Sequence, residues 1–142
     1  MFKKLDDTIF VSPQISPEEV QLAATQGITT IINNRPDHEG ADQPESKELE
    51  ALAKSLGLKY KAIPVTHAGF STLQIDEMVI ALSQAEGPIL AFCRSGTRST
   101  LLWALAQAKL GVAPAELEAK AETAGYSLTS IRAMLDMLAS AK

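Results

Sequence analysis

The chain of 142 residues predicts an α/β fold, a small and mostly parallel sheet covered by helices, with a helical C-terminus. Three observations carry this reading. Short apolar or β-branched runs at 8–11, 28–32, 58–65 and 89–92 alternate with stretches of helical periodicity. Such alternation builds parallel strands joined by right-handed helical crossovers. Beyond Gly111 the pattern is helical throughout, and no repeat or low-complexity stretch divides the chain, so residues 1–142 are expected to form one catalytic domain.

Each element has its own signals. Thr-Ile-Phe-Val at 8–11 reads as the first strand. Ser16 then offers an N-cap, Pro17 a first-turn residue, and Glu18 and Glu19 the acidic first turn of a helix ending near Gly27. Ile28-Thr29-Thr30-Ile31-Ile32 is β-branched throughout, as a central strand buried on both faces would be. The polar loop from Asn33 to Pro44 is longer than most strand-to-helix connections, and long loops in compact domains tend to be functional or disordered. An amphipathic helix over 46–56 sets Leu49, Leu52, Ala53 and Leu56 on one stripe and closes at Gly57. Pro64 cannot donate to a ladder, which places the strand at 58–65 nearer the sheet edge. A loop at 66–71 and a helix at 72–85 lead to the strand at 89–92 and a leucine- and alanine-rich helix at 100–110. Pro114 opens a helix to about residue 124, and Ser127-Leu128-Thr129-Ser130 caps another that runs to about residue 139.

Composition excludes several function classes. Thirteen basic against seventeen acidic residues give a net charge of −4, and basic residues cluster only around Cys93, which argues against a nucleic-acid partner. One cysteine rules out an internal disulfide and, with two scattered histidines, a zinc site of the usual spacing. No metal or cofactor is implied. No apolar stretch reaches the length of a membrane span, and the N-terminus runs into Asp6 and Asp7 without an apolar segment, so no signal peptide is read there. A cytoplasmic protein with no membrane partner is expected.

The chemistry concentrates at Phe92-Cys93-Arg94-Ser95-Gly96-Thr97-Arg98-Ser99, which joins a strand's C-terminal end to a helix's N-terminus. At such a junction unpaired backbone N–H groups and the helix dipole favour a bound anion and a thiolate alike. Gly96 lets the loop curl so that successive N–H groups of Arg94, Ser95, Gly96 and Thr97 face one centre. With Arg94 and Arg98 near it, Cys93 is expected to be an acidified nucleophile; such settings bring cysteine to roughly 3.5–7.5 from about 8.5. Arg98 stays charged, and its planar fork of donors suits an oxyanion such as phosphate, thiosulfate or sulfite. The plainer alternative is that Cys93 is a small buried hydrophobe ending a core strand, which the two arginines and the glycine argue against.

Other residues leave strand ends at the same edge of the sheet, where ligands of open parallel sheets bind. Asp37 is the first choice as proton donor to a leaving group, although Arg-Pro-Asp is also a plain turn sequence. Arg35 either binds substrate charge or pairs with Asp37 or Glu39 on a solvated loop. His67 begins the loop after the third strand, where it would serve as acid, base or hydrogen-bond donor if it is not structural. Ser99 either steadies the Cys93 thiolate through its hydroxyl or caps the helix.

With these residues in view, the sequence resembles the bacterial family called beta-lactamase hydrolase-like protein, phosphatase-like domain, whose members are also described as sulfur transferases. The likeness rests on Ile-Ile-Asn-Asn-Arg-Pro-Asp at 31–37, Ile63-Pro64-Val65, the loop at 92–99, and Ala124-Gly125-Tyr126 in the helical C-terminus. It implies a fold like that of dual-specificity phosphatases, with Cys93 as nucleophile and Arg98 as anion ligand. The chain departs from protein tyrosine phosphatases in having four rather than five residues between cysteine and arginine, a spacing seen in rhodanese-like sulfurtransferases. Thr66 and His67 also follow Val65 where phosphatases usually carry an aspartate as general acid.

Those departures make sulfur transfer the leading expectation from sequence. The Cys93 thiolate attacks the outer sulfur of a donor such as thiosulfate, while Arg98 and loop N–H groups hold the departing sulfite. Lacking a second cysteine, the chain would pass the persulfide to an external thiol, cyanide or another protein. The alternative is a phosphatase working through a phosphocysteine, with Asp37 as acid. A third reading is an anion-binding or docking module without turnover.

Overall fold

The computed structural model describes residues 2–141. Five strands and six helices form the expected α/β fold: β1 (Lys3–Asp6), β2 (Ile9–Ser12), α1 (Pro17–Thr25), β3 (Thr30–Asn33), α2 (Ser46–Ser55), β4 (Lys59–Ala62), α3 (Thr72–Gln84), β5 (Ile89–Phe92), α4 (Thr97–Lys109), α5 (Pro114–Thr123) and α6 (Arg132–Ser140). The sheet order is β1-β2-β5-β3-β4, parallel except for β1, which pairs antiparallel with β2. The strand that leads into Cys93, β5, is therefore central, and β4, with Pro64 beyond its end, is an edge as expected.

Local chemistry sets the boundaries. Ser16 caps α1 in a reciprocal box with Glu19, and Ser71 caps α3 in the same way with Gln74. The N-terminal hairpin was not legible as a strand, since Lys3 and Lys4 are exposed and the segment holds only Leu5 in the core. It forms because Asp6 Oδ1 accepts from the Thr8 and Ile9 N–H groups and turns the chain back along β2. A short 3-10 turn at Thr129–Ile131 precedes α6, which starts at Arg132 rather than directly after Ser127.

Strand residues alternate between two cores. Ile31, Leu90 and Phe92 pack with α1 and α2, whereas Ile32, Ile89 and Ala91 face the larger cluster built with α3, α4, α5 and α6. Helix α4 runs through that cluster with Leu101, Leu102, Trp103, Ala104 and Leu105 all buried. A helix apolar on every side must be enclosed, and α3, α5 and α6 wrap it against the sheet. Burying side chains of this size contributes about 1.5–3 kcal/mol each, so the N-terminus of α4 is held on a rigid base directly behind Cys93.

Candidate active site

Three parallel strands end in register at the site, with Ser12, Phe92 and Asn33 opposite one another. The ladder continues one step further: Cys93 N–H donates to Ser12 O at 3.4 Å, and Asn34 N–H to Phe92 O at 2.8 Å. Cys93 is thus fixed by its backbone on one side and by the Asn34 loop on the other. Its side chain is buried.

The loop after Cys93 is built from backbone. Gly96 adopts the left-handed region at φ 92° and is the N-cap of α4, a conformation few side chains allow. Its N–H donates to Cys93 Sγ at 3.1 Å. Thr100 Oγ1 donates to Gly96 O at 2.8 Å, Ser95 and Thr97 bond to each other through their hydroxyls at 3.0 Å, and Thr97 N–H donates to Ser95 Oγ. Arg94 is exposed, and its carbonyl accepts from Gln14 N–H. Because α4 starts at Thr97, earlier than the leucine-rich run suggests, Ser99 lies inside the first turn and is not the cap. Its Oγ is buried and finds no hydrogen-bond partner among the described residues, so the contact to Sγ falls to Gly96.

Arg98 reaches across to the neighbouring loop. Its Nη1 donates to Val65 O at 2.6 Å and to Glu39 Oε2 at 2.7 Å, and its Nη2 to Glu39 Oε1 at 2.8 Å. Glu39 Oε1 also accepts from Arg35 Nε at 3.0 Å. Arg35 is buried, with its Nη1 on Gln14 Oε1 and its own N–H on Asn33 Oδ1. One carboxylate is therefore gripped by two guanidinium groups beside the nucleophile. Hydrogen bonds from Arg98 first, and then from Arg35, outweigh burial and hold Glu39 down at about 2, so it stays ionised. The same bond raises Arg98, and the charge of Cys93 raises it further.

The remaining expected residues separate. Asp37 turns away to α2, where its Oδ1 accepts from Ser46 N–H at 2.8 Å and serves as the cap that Glu45 does not provide. His38, at φ 67° the one non-glycine residue in the left-handed region among those described, stands between Asp37 and Glu39 as they diverge. Arg35 takes the pairing with Glu39 that its loop offered. His67 is exposed in the loop that starts beside Val65, within two residues of the carbonyl that anchors Arg98. Sequence reasoning missed Glu39 as a ligand of Arg98 and Tyr126 as a support of the nucleophile loop; the Tyr126 hydroxyl donates to Ser95 O at 2.9 Å.

The sequence profile described as "Beta-lactamase hydrolase-like protein, phosphatase-like domain" matches residues 1–110. The chain belongs to this family. A beta-lactamase hydrolase-like protein of Xylella fastidiosa is 32% identical over 125 residues, which are 87% of this chain. One of Agrobacterium fabrum is 28% identical over 134 residues. The matched region spans only 29% of the Xylella relative's length.

Solved structures extend the likeness of this phosphatase-like domain. A candidate phosphatase of Neisseria meningitidis is 34% identical, covers 96% of both chains and superposes with a TM-score of 0.83. The phosphatase Tk-PTP in its active form, 16% identical, gives 0.77 with 98% of this chain and 96% of that one covered, a likeness of fold alone. The fold is like that of dual-specificity and tyrosine phosphatases, as the family resemblance implies.

Proposed function

We propose that this phosphatase-like domain is a cysteine-dependent enzyme acting on a small phosphate ester. The observation that carries the reading is the Gly96 N–H on Cys93 Sγ at 3.1 Å, with Arg98 in the first turn of α4 just beyond it. The Cys93 thiolate attacks phosphorus, the ester oxygen leaves, and a phosphocysteine forms that water then hydrolyses. Arg98 and loop N–H groups hold the equatorial oxygens, where preorganised donors act most strongly on developing charge. Substrate takes the place of Glu39 on Arg98. The likeness to phosphatases moves the preference away from the sulfane sulfur expected from sequence.

The acid side of the site narrows the substrate. Asp37 is committed to Ser46 N–H, so the carboxylate expected as proton donor is not offered to a leaving group. Esters whose alcohol leaves readily, such as aryl phosphates, fit best. The same feature, with the four-residue spacing, favours a second reading in which Cys93 accepts sulfur from thiosulfate, because sulfite departs without a proton.

One experiment tests both. Wild-type protein is mixed with p-nitrophenyl phosphate or with thiosulfate, quenched in acid and weighed by mass spectrometry. A phosphoryl adduct lost in Cys93→Ser is expected. An adduct of one sulfur and no phosphoryl adduct supports the second reading, and neither adduct overturns both.

A further inference from the structure

Tyr126 follows α5, beyond the residues 1–110 that the family profile matches. Its hydroxyl donates to the Ser95 carbonyl at 2.9 Å. The next amide, Gly96 N–H, is the one that donates to Cys93 Sγ at 3.1 Å. These two groups belong to the same peptide unit. In a planar trans peptide the C=O and N–H point in opposite directions, and no peptide bond among the described residues is cis. Fixing the oxygen from behind therefore aims the N–H at the sulfur in front. A carbonyl that accepts a hydrogen bond also polarises its amide and strengthens the N–H as a donor.

We propose that Tyr126 is a positioning residue for the nucleophile: acting through the Ser95-Gly96 peptide, its hydroxyl orients and polarises the N–H that stabilises the Cys93 thiolate. The packing around the phenol is fitted to this task. A Cβ built on Gly96 would lie 2.1 Å from the Tyr126 hydroxyl and 2.9 Å from its ring carbon Cζ, so phenol and glycine occupy complementary space. Burial, and then the Cys93 charge, push the phenol up, which keeps its proton in place to donate. Lys3 of β1 sets its Nζ over the ring, 5.0 Å from the centroid, and helps to hold it. The charged groups around the pair are Lys3 on the phenol, and Arg98 with its partner Glu39 on the thiolate.

The inference rests on the reading of Cys93 as a nucleophile, and the test separates the two. Cys93 is the only cysteine, so alkylation by iodoacetamide, read by mass on the peptide that carries Cys93, reports on this thiol whatever the substrate. In Tyr126→Phe the rate at about pH 6.5 should fall roughly three- to tenfold, the worth of one hydrogen bond, while the rate at about pH 10 should stay as in wild type. Installing 3-fluorotyrosine at position 126, a stronger donor of nearly the same shape, should keep the rate at about pH 6.5 at or above that of wild type. Equal rates in all three proteins, or a fall in Tyr126→Phe that is the same at both pH values, overturn the role of Tyr126. If Tyr126→Phe does not fold, a 3-fluorotyrosine rate below wild type at about pH 6.5 overturns it as well. Wild-type alkylation at about pH 6.5 no faster than that of a free cysteine overturns the nucleophile reading itself.

Discussion

The loop after β5 and the loop after β3 leave neighbouring strands at one edge of the sheet, and they hold their functional groups by different means. Between Cys93 and Arg98 the working parts are backbone: a left-handed glycine, an N–H on sulfur, a carbonyl pinned by Tyr126. Between Asn34 and Pro44 they are side chains, with Arg35 and Glu39 locked to each other and to Arg98 by charge. A backbone cradle is rigid because its geometry is set by dihedral angles and by the buried helix behind it. A charge-held loop keeps its shape only while its charges last. The first suits a site that must receive a transition state in one geometry, and the second suits a partner that yields its place to an incoming anion.

The largest break in that contrast should come from adding one methyl group to each loop. In Gly96→Ala the new Cβ meets the Tyr126 hydroxyl at 2.1 Å, in a backbone conformation at φ 92° that disfavours alanine. Displacing the cradle by an ångström is enough to cost about a hundredfold in turnover. In Gly40→Ala the Cβ meets only the far end of Arg35, at 2.9 Å from Nη2, and the side chain can shift. That variant should keep turnover within about threefold, a change of less than 1 kcal/mol or so. Steady-state rates of the two variants side by side measure the difference; equal losses would show that both loops are equally rigid.

The charge-held loop should answer to pH where the backbone loop does not. Glu39 falls from an ordinary value of 4.5 to about 2 in the folded protein. A depressed carboxylate stabilises the fold fully above its unfolded value, and this contribution is lost as pH falls from 4.5 through about 2. Melting temperature followed across that window should drop, and Glu39→Gln should make the drop smaller while lowering stability at neutral pH. The same variant frees Arg98 from a competing carboxylate, so vanadate or phosphate should bind several-fold more tightly, about the strength of a partly exposed ion pair. Weaker binding would show instead that Glu39 holds Arg98 in the geometry the anion needs.

The two loops were not equally legible in the sequence. Residues 89–92 read as a strand because an apolar run stood behind Gly87-Pro88, and Cys93 to Ser99 stood out because the residue types a backbone cradle requires sit together within a few positions. The neighbouring loop announced itself only by length and polarity. Which of its acids faces Arg98 depends on the left-handed turn at His38 and on the placement of α2, and both are set by tertiary packing. Tyr126 was visible as a family feature, yet its contact with Ser95 spans 31 positions, and no local pattern encodes that. At the sheet edges the same division holds: Pro64 marked one edge, while β1 depends on Asp6 turning a polar segment back onto β2.

The smallest effect is expected where the sequence pointed first for an acid. Asp37 looked suited to proton donation because it stands on the long loop near the strand ends, but its carboxylate accepts the Ser46 N–H at 2.8 Å and closes the N-terminus of α2. An oxygen in that place satisfies an otherwise orphaned donor and opposes the positive end of the helix dipole. Asparagine keeps that oxygen and loses only the charge. Asp37→Asn should therefore leave turnover of an aryl phosphate within about twofold of wild type, whereas Asp37→Ala should lower stability by about 1 kcal/mol with the same small change in rate. The two substitutions together separate a cap from an acid, since an acid is lost in both and a cap only in the second. If Asp37→Asn slows an alkyl phosphate by two orders of magnitude or so, about 2.7 kcal/mol in barrier, while sparing an aryl one, then the loop after β3 must swing Asp37 toward Cys93 during turnover, and the charge that holds that loop would be a hinge between a resting and a working state.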